Sequence, residues 1–318
     1  MRHFISIKDV ENLPELVNKA LDFKKDPWKH AEFGKHKTLG LIFLNPSLRT
    51  RLSTQKAAQT LGMSIMLMNF DNEGWALETE EGVVMKGTSA EHVKEGAAVV
   101  GQYCDIIGVR SFPKLRSRDE DYSDVMLSKF IQYANVPIVS LESSILHPLQ
   151  SLTDLMTIEE YRTVKKPKVV LTWVPHFKSL PQAVPNSFAE WMNHPDANVD
   201  FVITHPPGYE LAEQFRGKAE IIYDQNEALK DADFVYAKNW SSYHQYGKVL
   251  TTDSSWVIDN SKMDLTNNGK FMHCLPLRRN LKVMDEVLDG PQAIHIQQAA
   301  NRVHAAQAVL KKMLEDNF

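Results

Sequence analysis

Short apolar runs alternate with stretches of helical periodicity through most of this chain, and no other feature limits its fold as much. Runs at 38–44, 64–69, 105–110, 137–142, 167–173, 199–204, 219–223, 234–237 and 270–273 are bounded by turn residues and read as strands. Between them the apolar residues fall at helical spacing. A first helix over 9–25 carries Val10, Leu13, Leu16, Val17, Ala20 and Leu21 on one stripe. Others are expected from Thr50 to the stop at Gly62, over 91–103, over 123–134, from Pro148 to Tyr161, and from Ile294 to Leu314. Strand and helix in regular alternation imply parallel β-α-β units, with helices on both faces of an open sheet. At 318 residues the chain exceeds the usual size of one hydrophobic core. The expectation is therefore an α/β protein of two doubly wound parallel-sheet domains joined by two interdomain helices. The first domain covers 1–149 and the second 150–293, with the final helix, 294–318, packing back on the first.

Composition removes several classes of function. A net charge of −4 without a basic block argues against a nucleic-acid binder, whose affinity comes from neutralising phosphates. Two cysteines, Cys104 and Cys274, make no disulfide framework, and together with the absence of a leader or a membrane-length apolar run they imply a cytoplasmic protein. No metal site is expected, because the histidines and cysteines show no ligand spacing. A dinucleotide is unexpected as well, since no Gly-x-Gly-x-x-Gly or Walker-type loop follows a strand.

What remains is a set of polar residues at strand ends, where open parallel sheets bind their ligands. The run at 38–44 gives way to Asn45-Pro46-Ser47-Leu48-Arg49-Thr50-Arg51 and then a helix. Free N–H groups and the macrodipole at that helix start, with hydroxyls and arginines beside them, suit a phosphate. Arg110 ends another strand and adds a second planar donor. One strand-end arginine alone reads as a surface ion pair; two beside a hydroxyl-rich helix start favour the anion site. His147 and Gln150, at i and i+3 on one helix turn, can bond a carbonyl and its amine, or can serve as a cap and a packed histidine. His273-Cys274-Leu275-Pro276 holds either a buried cysteine closing a strand or a thiol nucleophile, with no base evident beside it.

Three segments together carry a resemblance. Ser47-Leu-Arg-Thr-Arg51, His147-Pro-Leu-Gln150 and His273-Cys-Leu-Pro276 occur in the order and at the spacing of the aspartate/ornithine carbamoyltransferase family. The likeness covers essentially the whole chain. It implies that Ser47, the Leu48 amide, Arg49, Thr50 and Arg110, with Trp75, bind carbamoyl phosphate, while Arg51 braces the loop. It likewise implies that His147, Gln150 and Arg302 hold the carbamoyl oxygen, and that Cys274 and the Leu275 carbonyl complete the catalytic group. No cofactor is implied.

The acceptor is less directly written. The Ser-Met-Gly segment with which ornithine enzymes read a free α-amino group is missing. Trp75, Trp173-Val-Pro-His176, Lys238 and Arg278 resemble instead the branch acting on N-acylated ornithine. By that resemblance Glu142, His176, Lys238 and Arg278 contact an N-acylornithine, with Lys238 or Arg278 suited to its carboxylate. The polar segment 71–90, which holds Gly74, Gly82 and Gly87, is expected to be a long loop; the resemblance implies that it reaches a neighbouring subunit's site in a homotrimer. Ala90 stands where an acidic side chain is expected in an acetyl-specific enzyme. A succinyl group ends in a second carboxylate, which an acid would repel, so Ala90 favours N-succinylornithine over N-acetylornithine. Classical ornithine carbamoyl transfer and non-catalytic carbamoyl phosphate binding are the alternatives.

Overall fold

A computed structural model describes residues 1–70 and 73–318. The chain divides into two compact units. The first comprises Met1–Lys114, Asp119–Leu149 and Arg302–Phe318; the second comprises Leu115–Arg118 and Gln150–Asn301.

In the first unit a four-stranded parallel sheet runs in the order β2-β1-β5-β6, built from β1 (Thr38–Phe43), β2 (Ser64–Asn69), β5 (Ile106–Arg110) and β6 (Ile138–Glu142). The central strands are buried almost throughout, as helices on both faces require, whereas the edge strand β2 alternates exposed and half-buried residues. Met66 and Met68 occupy its exposed positions. The helices Val93–Tyr103 and Val125–Tyr133 cover one face, where Val93, Ala97, Leu127 and Phe130 join Ile42, Ile107 and Val109 in one core. Between β5 and β6 the register shifts, so that Arg110 pairs with Glu142 although Val109 pairs with Ser140. Such irregularities re-aim side chains at the end of a ladder. Here the shift sets an arginine and a glutamate side by side.

The second unit holds a five-stranded parallel sheet in the order β11-β10-β7-β8-β9, from β7 (Lys168–Trp173), β8 (Asp200–Thr204), β9 (Glu220–Ile221), β10 (Phe234–Lys238) and β11 (Lys270–Met272). Its core includes Val170, Val202, Val235, Ile258, Phe271 and Val283. The chain passes from the first unit to the second within the helix Pro148–Tyr161, and back within the helix His295–Asn317.

The segment expected as a loop over 71–90 contains some regular structure. Asp71 and Asn72 lie outside the described residues, but further on β3 (Leu77–Glu78) pairs in parallel with β4 (Glu91–His92). That pairing moves the start of the following helix from 91 to Val93, where the His92 ring accepts from the Lys94 N–H at 3.1 Å. The helix expected over 123–134 is found at Val125–Tyr133, preceded by a separate short helix, Arg118–Tyr122; its cap residue Asp124 has φ 47°, a backbone state that aspartate tolerates better than most residues. Among the described residues no helix is long and apolar enough to cross a membrane, and no cluster of three or more potential metal ligands occurs.

Candidate active site

The first unit gathers the residues expected to bind an anion. Pro46 has no N–H to continue the β1 ladder, and the chain turns into the helix Arg49–Thr60. Its cap residue, Leu48, makes no side-chain cap bond, so the dipole and N–H groups of the first turn are not masked by a capping oxygen. Asn45, Pro46, Ser47, Leu48, Arg51 and Gln55 line a cleft of about 540 Å³ at that point. Arg51 also reaches Asn69 Oδ1 at 3.5 Å. Thr50 is buried, and its hydroxyl accepts from Arg302 Nη2 at 2.7 Å, which ties the last helix to the turn after β1. Asn45 Oδ1 accepts from the Phe112 N–H at 2.5 Å and joins this turn to the one after β5.

Arg110 and Glu142 form a buried ion pair through Nη1 and Oε2, and His147 Nε2 stands 3.7 Å from the same carboxylate oxygen. Arg110 Nε is buried with no hydrogen-bond partner among the described residues. A buried guanidinium N–H left in that state is unfavourable by about 1–3 kcal/mol, and an added acceptor such as a phosphate oxygen would satisfy it. Glu142, expected against the acceptor substrate, thus sits with Arg110 and His147 in the first unit.

Two expected residues lie apart from this cleft. Trp75 is 55% exposed, and its indole N–H donates to Glu91 Oε2 at 3.0 Å. Ala90 is exposed on the same β3/β4 ribbon, its N–H bonded to the Ala76 carbonyl at 3.2 Å. Neither lines the cleft around Ser47.

The second unit gathers cations around a histidine. Lys238 ends β10, and Lys282 is buried to 2% exposure. Burial first, then Lys238, pushes the Lys282 ammonium down to about 7; Cys274 opposes this and Arg278 adds to it. His176 is pushed down to about 4, chiefly by burial and then by Lys282, with smaller contributions from Arg278 and Lys238. It is therefore a neutral imidazole at pH 7, and its Nδ1 accepts from the Lys178 N–H at 2.9 Å. Phe177 stacks on His176 with centroids 4.8 Å apart, and the Arg278 guanidinium lies over the Phe177 ring at 4.8 Å. Lysines and an arginine around a neutral histidine make a surface for carboxylates.

His273-Cys274-Leu275-Pro276 follows β11. Leu275 has φ 56°, a left-handed conformation that favours glycine, and its N–H donates to His273 Nδ1 at 2.8 Å. The strain of order 1–3 kcal/mol at such a residue persists where surrounding bonds over-determine it, as they do at binding sites. Cys274 is buried, in keeping with a packed thiol. Gln150 lies on the first turn of its helix, and its Nε2 donates to Asp154 Oδ1 at 2.6 Å. Sequence reasoning did not single out Asp154, although its position four residues after Gln150 puts both on one face.

Both halves of the chain resemble known proteins. Residues 2–160 match the family model described as the carbamoyl-P binding domain of aspartate/ornithine carbamoyltransferase, and residues 184–313 match its Asp/Orn binding domain. The chain is 52% identical over 317 residues to N-succinylornithine carbamoyltransferase of Bacteroides thetaiotaomicron, covering 99% of each. It is 34% identical to N-acetylornithine carbamoyltransferase of Xanthomonas campestris pv. campestris, over 99% of this chain and 98% of that one. A crystal structure of an N-acetyl-L-ornithine transcarbamylase variant, with one glutamate replaced by alanine, is complexed with carbamyl phosphate and N-succinyl-L-norvaline. It matches at TM-score 0.90 and 35% identity, over 98% of this chain and 100% of that one. Variants of that enzyme carrying proline, serine or valine for the same glutamate are complexed with the same two ligands. With both halves of the chain matched and an α/β fold of two parallel-sheet units in common with these structures, the protein belongs to the aspartate/ornithine carbamoyltransferase family and is a carbamoyltransferase.

Proposed function

We propose that this enzyme transfers the carbamoyl group of carbamoyl phosphate to the δ-amine of N-succinylornithine, giving N-succinylcitrulline and phosphate in arginine synthesis. The amine nitrogen attacks the carbonyl carbon, the carbon–oxygen bond to phosphate breaks, and the proton lost by the amine leaves on phosphate. Charge grows on the carbonyl oxygen and on the departing phosphate, so fixed donors aimed at both lower the barrier. Ser47, the Leu48 N–H, Arg49, Thr50 and Arg110 bind the phosphate, with Trp75 reaching it from a neighbouring copy of the chain. His147, Gln150 and Arg302 hold the carbamoyl group, and the Leu275 carbonyl accepts from its NH2. Glu142, His176, Lys238 and Arg278 contact the acylornithine.

The observation that carries the succinyl reading is the chemistry of the β3/β4 ribbon. Ala90 brings no charge there, and the nearest acid, Glu91, accepts the Trp75 indole N–H within the ribbon itself. Position 90 itself then presents no like charge to the extra carboxylate of a succinyl group. The 52% likeness to a succinylornithine enzyme supports the same choice, as does the replacement of a glutamate in each transcarbamylase variant complexed with N-succinyl-L-norvaline.

Steady-state assays of the purified enzyme with carbamoyl phosphate and either N-succinylornithine, N-acetylornithine or ornithine test this. N-succinylornithine is expected to have the highest kcat/KM, and free ornithine the lowest. Two like charges about 4 Å apart near a protein surface repel by about 1–4 kcal/mol, so Ala90→Glu is expected to lower kcat/KM for the succinyl substrate about tenfold or more. The acetyl substrate should lose far less. A parent enzyme faster on N-acetylornithine or on ornithine would overturn the succinyl assignment.

A further inference from the structure

One buried carboxylate in the second unit bonds Gln150 directly and the His273 backbone through Gln298, yet belongs to none of the sequence motifs. Asp154 is 0% exposed on the helix Pro148–Tyr161. Its Oδ1 accepts from Gln150 Nε2 and from Gln298 Nε2, each at 2.6 Å. Gln298 in turn accepts the His273 N–H on Oε1 at 2.9 Å, where β11 leads into Cys274 and Leu275. The Tyr236 hydroxyl lies beside both Asp154 and Cys274; burial and then those two groups hold its proton far more tightly than usual.

We propose that Asp154 is the positioning residue of the transfer reaction, setting the orientation of the Gln150 amide and, through Gln298, the placement of the His273–Leu275 turn. A carboxamide has a donor end and an acceptor end of nearly equal size, and packing alone does not choose between them. An acceptor oxygen in contact with the amide does choose. With Oδ1 at 2.6 Å, Nε2 must face Asp154 and the Gln150 carbonyl must point away from it. Gln298 is oriented by the same oxygen, so its Oε1 is the end that reaches His273. A single acceptor thereby fixes a side-chain amide and a backbone turn together. Misplacement of reacting groups by about 1 Å lowers rates about 10²-fold, which is reason enough to hold both from one buried point.

The inference rests on carbamoyl transfer and on Gln150 as a carbamoyl-binding group, and is independent of the acyl group. It is tested with whichever ornithine derivative the parent turns over fastest, so a wrong acyl assignment leaves the result readable. Asp154→Ala is expected to lower kcat about 10²-fold while KM for carbamoyl phosphate changes less than about threefold. Asp154→Asn keeps an acceptor oxygen in place and should restore kcat to within about fivefold of the parent. In a Gln150→Ala background, Asp154→Ala should lower kcat by clearly less than it does in the parent, because the part of its effect that acts through Gln150 is already lost. Should Asp154→Ala fail to fold by circular dichroism, Asp154→Ser, whose hydroxyl stops short of both amides, takes its place in the cycle. Multiplicative losses in the double variant, an Asn variant as impaired as the Ala one, a loss confined to KM, or failure of both Ala and Ser to fold would each overturn the assignment.

Discussion

Lys282 shows at the scale of one residue how the second unit stores electrostatic tension. Its ammonium is buried among Lys238 and Arg278, and its pKa falls to about 7. In the unfolded chain it would titrate near its ordinary value of 10.5. Between those values the unfolded chain binds a proton that the folded chain does not, so stability rises with pH across that window. His176, pushed down to about 4 from 6.5, has the same sign at lower pH: its contribution is lost as pH falls from about 6.5 towards 4. The midpoint of urea unfolding is therefore expected to increase between about pH 7 and about pH 9.5, and Lys282→Met should flatten much of that rise. Lys262, lowered by burial as well, contributes in the same direction and is untouched by the substitution. An unchanged pH slope in Lys282→Met would show that the ammonium is not the group responsible. An anionic substrate beside Lys282, Lys238 and Arg278 would relieve the same repulsion. Saturation with N-succinylornithine is thus expected to stabilise the enzyme more at pH 7 than at pH 9.5, read as a larger shift in Tm.

Elements, rather than residues, set how closely the first unit packs. The helix Val93–Tyr103 meets the end of the helix Val125–Tyr133 at Gly101, where an added Cβ would stand 1.9 Å from the Ala134 carbonyl oxygen. Backbone cannot yield as a flexible side chain can. Gly101→Ala is expected to destabilise the protein by about 1–3 kcal/mol, measured as a lower urea midpoint, despite the better helix propensity of alanine. At this scale the sequence was legible where burial dictates composition. The central strands, apolar on both faces, and the striped helices stand close to where their patterns put them, as with β1 at Thr38–Phe43 and the helix Pro148–Tyr161. Less legible were features decided by partners far along the chain. Glu91 and His92 belong to a strand only because Leu77 and Glu78 pair with them, and Asp124 sets the start of a helix through a backbone state that no apolar pattern encodes. Most of the residues proposed for the phosphate could be named from the sequence because they lie in one local run, Ser47–Arg51. Asp154 and Gln298 could not, because 144 residues separate them and their bond exists only once the second unit has folded.

For the whole molecule, the first unit carries several exposed apolar residues. Leu48 and Leu52 lie one helical turn apart and are 67% and 57% exposed, Met66 and Met68 line the outer face of β2, and Trp75, Val83, Val84 and Met85 stand on the segment after it. Scattered exposed apolar residues are ordinary, but so many in one unit are what a subunit interface buries. We propose a homotrimer in which the segment carrying Trp75 completes a neighbouring copy's phosphate site. This arrangement predicts more than a mass. Arg49→Ala removes a phosphate donor from a chain's own site, whereas Trp75→Ala damages the site of its neighbour. Each variant alone is expected to lose activity about 10²-fold or more, since one lost transition-state donor lowers rates by about 10²–10³. When the two are unfolded together and refolded as a mixture, some sites will pair an intact Arg49 with an intact Trp75 from the adjacent copy. Activity should then return to a sizeable fraction of the parent's, while each variant refolded alone stays inactive. A fully active monomer by analytical ultracentrifugation, or mixed trimers with no recovered activity, would exclude shared sites and confine each phosphate site to its own chain.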